Sequence, residues 1–241
     1  MGIFDFLGGS GPEKALKLKS KVTQKYGDPA TRQKAIQQLG EMKLPEAVTV
    51  LLHRYTITVE PLTTDTDEKE HVFELIKAFD KEAVAPVTDF LRKNEQATSW
   101  ALRLLESLLP EAEVTTVVVQ TLTALSAQYM RDPQKKVVLL HYVTGKTDAG
   151  IAPAVLPHLD DMADDVKIAA LKALGPLKYE PAREPVLRLL TTPDTARRVQ
   201  VAALQALHES AFPVQDYREK VEAVLAEPFT LDRGGLVQRR A

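Results

Sequence analysis

A helical unit returns about every 33 residues along this 241-residue chain, and that period rules out most folds before any single residue is weighed. Asp164 to Gly175 reads DDVKIAALKALG and Arg197 to His208 reads RRVQVAALQALH, with Val166/Val199, Ala170/Ala203, Leu171/Leu204 and Leu174/Leu207 each 33 apart. A fixed period of this size marks stacked repeats, in which each unit buries its apolar side only against its neighbours. Pro29 to Gly40 fits the same register without a gap, placing Ala35, Ile36, Leu39 and Gly40 on Ala170, Leu171, Leu174 and Gly175. Gln96 to Leu105 joins through Ala101, Leu102 and Leu105.

Between these copies lie partner helices marked by Pro86-Val87 with Phe90-Leu91 and by Pro185-Val186 with Leu189-Leu190, with a looser copy at Pro153. Proline in a first helical turn costs little, because its missing N–H has no partner there anyway. The spacing predicts helix pairs at 12–25/29–41, 45–57/67–80, 82–93/96–109, 111–129/133–144, 149–161/164–177 and 181–190/195–209, then a helix near 214–226. YTITV at Tyr55 to Val59 runs into the Thr/Asp-rich EPLTTDTDEKE, so a longer loop is expected over 59–68. FTLDRGGLVQ predicts a small C-terminal hairpin around Arg233-Gly234-Gly235. The expected organisation is an apolar lead-in at 1–11, a repeat array over 12–226 and a cap or tail at 227–241.

Composition suits helix-on-helix packing, with 44% apolar side chains and 6% aromatic ones. A net charge of −2 removes the global basic field that a general nucleic-acid binder needs, so nucleic acid is not an expected partner. Zero cysteines exclude thiolate metal sites and thiol nucleophiles and fit a reducing compartment, so a cytoplasmic location is expected.

DDVKIAALKALG, the Pro-containing partner helices and the Glu-Ala-Val entries at 46–48 and 82–84 resemble the short bacterial HEAT-like repeats. The resemblance covers most of residues 12–226. It implies an all-α fold, a right-handed α-solenoid of about six helix pairs whose second helices line a concave face. It also implies a hydrogen-bonding ladder at the polar position after the Val, which here reads Arg32, Thr98, Lys167 and Gln200. Repeats of this kind also occur in bilin lyases and in alkylpurine DNA glycosylases. One Trp and a near-neutral charge do not make the aromatic, basic cleft of a glycosylase, and no lyase signature is present.

At about 100° per residue, the arc opposite Val166, Ala170, Leu171 and Leu174 holds positions 165, 168, 169 and 172. The aligned residues are the candidate partner-binding set: Gln33, Lys34 and Gln37; Ser99, Trp100 and Arg103; Ala169 and Lys172; Arg198, Ala202 and Gln205. Trp and Arg dominate binding hot spots, and Trp100 and Arg103 stand three apart. Trp100 has a second reading, as a side chain packed sideways into the neighbouring repeat.

Lys14, Lys17, Lys21 and Lys25 form a basic stripe within about 80° on the first helix. With the upstream apolar Ile3, Phe4, Phe6 and Leu7 they offer a membrane-surface alternative, set against a plain solvated face. Gly145-Lys146-Thr147 lacks the earlier glycine of a phosphate-binding loop, since Leu140 stands there. His158 with Asp160, Asp161, Asp164 and Asp165 lies at an inter-helix turn, where acids cap helices, and no second His supports a metal. The acidic stretch Asp65 to Glu82 reads as solvated surface, with recruitment of a basic partner, or head-to-tail self-association against the lysine stripe, as its alternatives. The expectation is therefore a non-catalytic scaffold or adaptor for a protein partner, without cofactor, metal or small-molecule substrate.

Overall fold

A computed structural model of the chain describes residues 11–240. Two compact units divide it, one up to Val114 and one from Thr115 onward. The first holds α1 (Gly11–Lys17), α2 (Lys19–Val22), α3 (Pro29–Met42), α4 (Pro45–Leu52), α5 (Leu62–Lys77), α6 (Lys81–Lys93) and α7 (Thr98–Leu108). The boundary falls within α8 (Glu111–Leu125). The second continues with α9 (Gln134–Val143), α10 (Ile151–Val155), α11 (Asp164–Leu174), α12 (Arg183–Thr191), α13 (Arg197–Ser210) and α14 (Arg218–Val224). A hairpin of β1 (Phe229–Leu231) and β2 (Val237–Arg239) follows.

The architecture is all-α and solenoid-like, made of stacked helix pairs. In the first unit the first helices α1, α4 and α6 pack in succession, and so do the second helices α3, α5 and α7. In the second unit α9, α11 and α13 stack likewise, with α12 against α14. Within each unit the two layers therefore share an apolar seam. Ile36, Leu39, Leu51, Leu52, Ile76, Leu104 and Leu105 are fully buried in the first unit, and Leu122, Leu139 and Leu140 in the second. Each such side chain contributes roughly 1.5–3 kcal/mol through burial.

Every second helix carries one polar residue followed by buried apolar ones at 3, 4 and 7 positions further on. Arg32 precedes Ala35, Ile36 and Leu39, while Lys69 precedes Val72, Phe73 and Ile76. Thr98, Lys136, Lys167 and Gln200 open the same pattern in the other four. Three of the six reach a backbone carbonyl near the end of their own pair's first helix. Arg32 donates to Gln24 O at 2.9 Å, Lys136 to Gln128 O at 2.6 Å and Gln200 to Leu190 O at 3.4 Å. Carbonyls at and just past the C-terminal end of a helix have no intrahelical partner, so the long polar side chains satisfy them across the pair.

Local signals set the helix ends. Asp28 Oδ1 accepts the Ala30 N–H at 3.0 Å with Pro29 opening α3. Pro153 and Pro185 lie in first turns, whereas Pro86, expected in one, is the sixth residue of α6. The loop expected over 59–68 is also corrected. Helix α5 begins at Leu62, so Thr63 to Glu68 are helical, and Asp65 and Glu68 point inward instead of to solvent. Arg32 and Arg54, both buried, await them there.

The hairpin forms as expected. Thr230 pairs with Gln238, Asp232 Oδ1 accepts the Leu236 N–H at 2.8 Å, and Gly235 supplies the positive φ of the turn. Buried Phe229 and Val237 seat it on α13, where His208 Nδ1 lies 3.0 Å from Val237 O.

Candidate functional site

Lys34 and Gln37 stand exposed on α3 and line a groove of about 690 Å³ toward α5. Ala30, Gln33, Ile36, Thr64, Asp67, Glu68 and His71 complete its walls. Glu68 belongs to a buried ion cluster beneath the groove. Its carboxylate accepts from Arg32 Nε at 2.7 Å, Arg32 Nη2 at 2.8 Å and Arg54 Nε at 3.0 Å. Asp65 accepts from Arg54 at 2.8 Å, from Lys69 at 2.6 Å and from the Val59 N–H at 3.1 Å. Burial alone would raise both carboxyls. The hydrogen bonds from Lys69 and Arg54 to Asp65, and from Arg32 and Arg54 to Glu68, outweigh it and hold both below the ordinary range. The floor of the groove is thus charged, with the three cations Arg32, Arg54 and Lys69 set around two carboxylates.

Asp67 and Glu74, exposed on α5, have no ion-pair or hydrogen-bond partner among the described residues. Glu70 between them accepts from Arg103 of α7 at 2.6 Å. The Arg103 guanidinium also lies 4.3 Å from the Phe73 ring centre and 5.1 Å from that of Trp100. Trp100 is half-buried and stacks on Tyr55, centres 4.7 Å apart and planes 15° apart. Its sideways reading therefore holds for one ring face. Tyr55 is buried, and its hydroxyl donates to Lys69 O at 3.3 Å. Burial first, then Glu70, pushes this phenol up, so it stays protonated. The Glu70 bond raises Arg103 and lowers Glu70 in turn. Ser99 is exposed beside them.

The remaining candidates sit in the second unit on α11 and α13. Lys172 is exposed and Gln205 donates to Glu209 at 2.6 Å. Arg198 is not an open contact as expected, because it donates to Asp164 at 3.2 Å and to Asp165. Ala169 faces the core and not the outer arc. The acids near His158 are likewise engaged: Asp160 pairs with Arg188 at 3.1 Å, and Asp161 takes Lys136 at 2.7 Å and the Ala163 N–H at 2.9 Å. Among the described residues no three His, Asp or Glu side chains are grouped to hold a metal ion.

Lys14, Lys17, Lys21 and Lys25 are all exposed on α1, α2 and the turn that follows. Ile3, Phe4, Phe6 and Leu7 lie outside the described residues. Among those described, no helix is long and apolar enough to cross a membrane.

The sequence pattern missed Tyr55, Phe73, Thr64 and His71, and took Asp67 and Glu70 only as members of an acidic stretch. Only the 33-residue step from Glu70 to Arg103 was available as a signal.

No family model matches the chain, and no curated protein matches it. A solved structure of human deoxyhypusine hydroxylase in complex with glycerol is similar, at TM-score 0.37 and 13% identity, over 89% of this chain and 95% of that one. That neighbour is an enzyme, and the expectations of a non-catalytic scaffold and of a chain that is not an enzyme are withdrawn. A stack of helix pairs gives no ground for excluding catalysis.

Proposed function

We propose that the chain is a HEAT-like repeat protein whose α3–α5–α7 face recognises an extended basic polypeptide segment. The HEAT-like reading is supported by the helix pairs and by the polar residue that opens each second helix. The observation that carries the binding reading is the groove between α3 and α5, whose α5 wall holds the unpaired carboxylate of Asp67, with that of Glu74 two turns further along the same helix, beyond the groove. Gln33 and Gln37 add amides, which both donate to and accept from a peptide backbone. Cationic side chains match Asp67 and Glu74, and charge complementarity of this kind governs encounter rate and partner choice.

Trp100, the one tryptophan of the chain, reports on this face. Titrating a short oligolysine peptide while following Trp100 fluorescence is expected to show saturable binding that salt weakens. The Asp67→Asn/Glu74→Gln double variant is expected to bind less tightly with unchanged helicity. An equal affinity in the variant, or no saturable binding by the parent, overturns the reading.

A further inference from the structure

Arg103 is held by three groups at once, and what they leave open defines a specific ligand chemistry. The guanidinium carbon lies over the Phe73 ring at 4.3 Å and over the Trp100 ring at 5.1 Å, and Nη1 donates to Glu70 at 2.6 Å. Even so, the Arg103 side chain keeps 46% of its surface exposed. That open surface is what Phe73, Trp100 and Glu70 leave to a ligand. We infer that it stacks an aromatic side chain of the bound segment, making Arg103 the specificity-determining residue of the α3–α5–α7 face. The inference rests on the basic-segment reading above and names the residue that the segment places beside its lysines.

Charge decides between an aromatic ring and a carboxylate as the group Arg103 reads. A partner carboxylate would meet the like charges of Glu70, which already accepts from Arg103 Nη1, and of Glu74, whose field also acts on Arg103. A neutral ring meets no such repulsion. It gains the cation–π and stacking contact that guanidinium groups make with aromatic faces. A lysine next to that ring is attracted by the same two glutamates.

The platform is also rigid before any ligand arrives. Trp100 is fixed by its stack on buried Tyr55, and Phe73 is itself buried at 5% exposure. Little side-chain freedom remains to be lost at this spot on binding, so the contact is expressed as affinity.

The test compares three peptides of equal length: oligolysine, oligolysine with one central Tyr, and oligolysine with a central Leu. Each is titrated into the intact chain and into Arg103→Lys, which keeps the charge but loses the planar group. Calorimetry reads affinity and far-UV circular dichroism checks folding. The Tyr peptide is expected to bind the parent about fivefold more tightly than oligolysine, the value of roughly 1 kcal/mol for an exposed cation–π contact. The Leu peptide should show no such gain, and Arg103→Lys should lose the gain while still binding oligolysine. Oligolysine binding without a Tyr advantage, a Leu peptide as tight as the Tyr peptide, or an advantage that survives in Arg103→Lys overturns this inference alone. Failure of oligolysine to bind removes the basic-segment reading, and this inference with it.

Discussion

Arg103 on α7 reaches back one repeat length, 33 residues, to Glu70 on α5. Arg198 stands in the same relation to Asp165, as does Tyr217 to Glu184, and Arg183 reaches forward 33 residues to Asp216. The period in the sequence reappears as polar rungs between successive pairs. Their partners lie mostly at the surface, where ion pairs add little and are screened by salt. Arg198→Ala is therefore expected to leave the urea midpoint close to that of the parent, with any difference vanishing in high salt. A loss comparable to that of a core variant would mean that the rungs hold the stack together.

The ion cluster beneath the groove behaves oppositely. Arg54 is 0% exposed and Glu68 6%, so removing one charge leaves the others buried without their match. Glu68→Gln is expected to cost about 3–5 kcal/mol. Its exposed neighbour gives the contrast, for Asp67→Asn should change urea stability by less than about 0.5 kcal/mol. Similar effects at the two positions would show that the cluster is open to water.

Close approach of helices explains why glycine recurs at Gly40 and Gly175. A methyl group on Gly175 would stand 3.2 Å from the Ala206 backbone of α13, whereas one on Gly40 would meet only the Leu75 side chain of α5. Backbone does not yield and a leucine tip does. Gly175→Val is expected to destabilise by about 1–3 kcal/mol through overpacking, and Gly40→Val by less. Chemical denaturation of the two variants checks the order, and a reversed order would place the tighter contact at α3–α5.

Apolar spacing made the helix pairs legible, because buried residues at 3, 4 and 7 positions repeat in a pattern that needs no knowledge of distant contacts. Two second helices escaped that register. Lys69 lies 37 residues after Arg32, and Lys136 lies 38 after Thr98, so a strict 33-residue period passes them by. Asp65 and Glu68 read as solvated acids because nothing local shows that Arg32 and Arg54 face them. At the site, residue type and the helical wheel were enough to single out Trp100 and Arg103. Their supports were not legible, since Tyr55 lies 45 residues before Trp100 and Phe73 is 30 before Arg103. Arg198 was misjudged because a wheel shows which way a side chain faces and not which acid one repeat earlier will hold it.

Stability should depend on pH through His158. The ring is fully buried, with Nε2 3.1 Å from Leu122 O, which can only accept, so Nε2 carries the proton. Nδ1 then keeps a bare lone pair with no partner. Protonating it would place a charge with no acceptor in the core, and burial, then Lys136, lowers its pKa despite the Leu122 bond and Asp161. Above pH 6.5 both folded and unfolded states hold a neutral ring, and the full stability is present. As pH falls below 6.5 the unfolded chain takes up a proton that the folded chain refuses, so stability is lost by up to about 1.4 kcal/mol per pH unit. His53, lowered by burial and Lys19, acts in the same direction. Asp65, Glu68 and Asp161 are all lowered and act only further down, below about pH 4. Urea unfolding followed by circular dichroism at pH 7.5 and 5.5 is expected to show the parent losing stability, and His158→Gln, which keeps a donor for Leu122 O but cannot titrate, losing less. Parallel losses in the two proteins would assign the dependence to His53 instead.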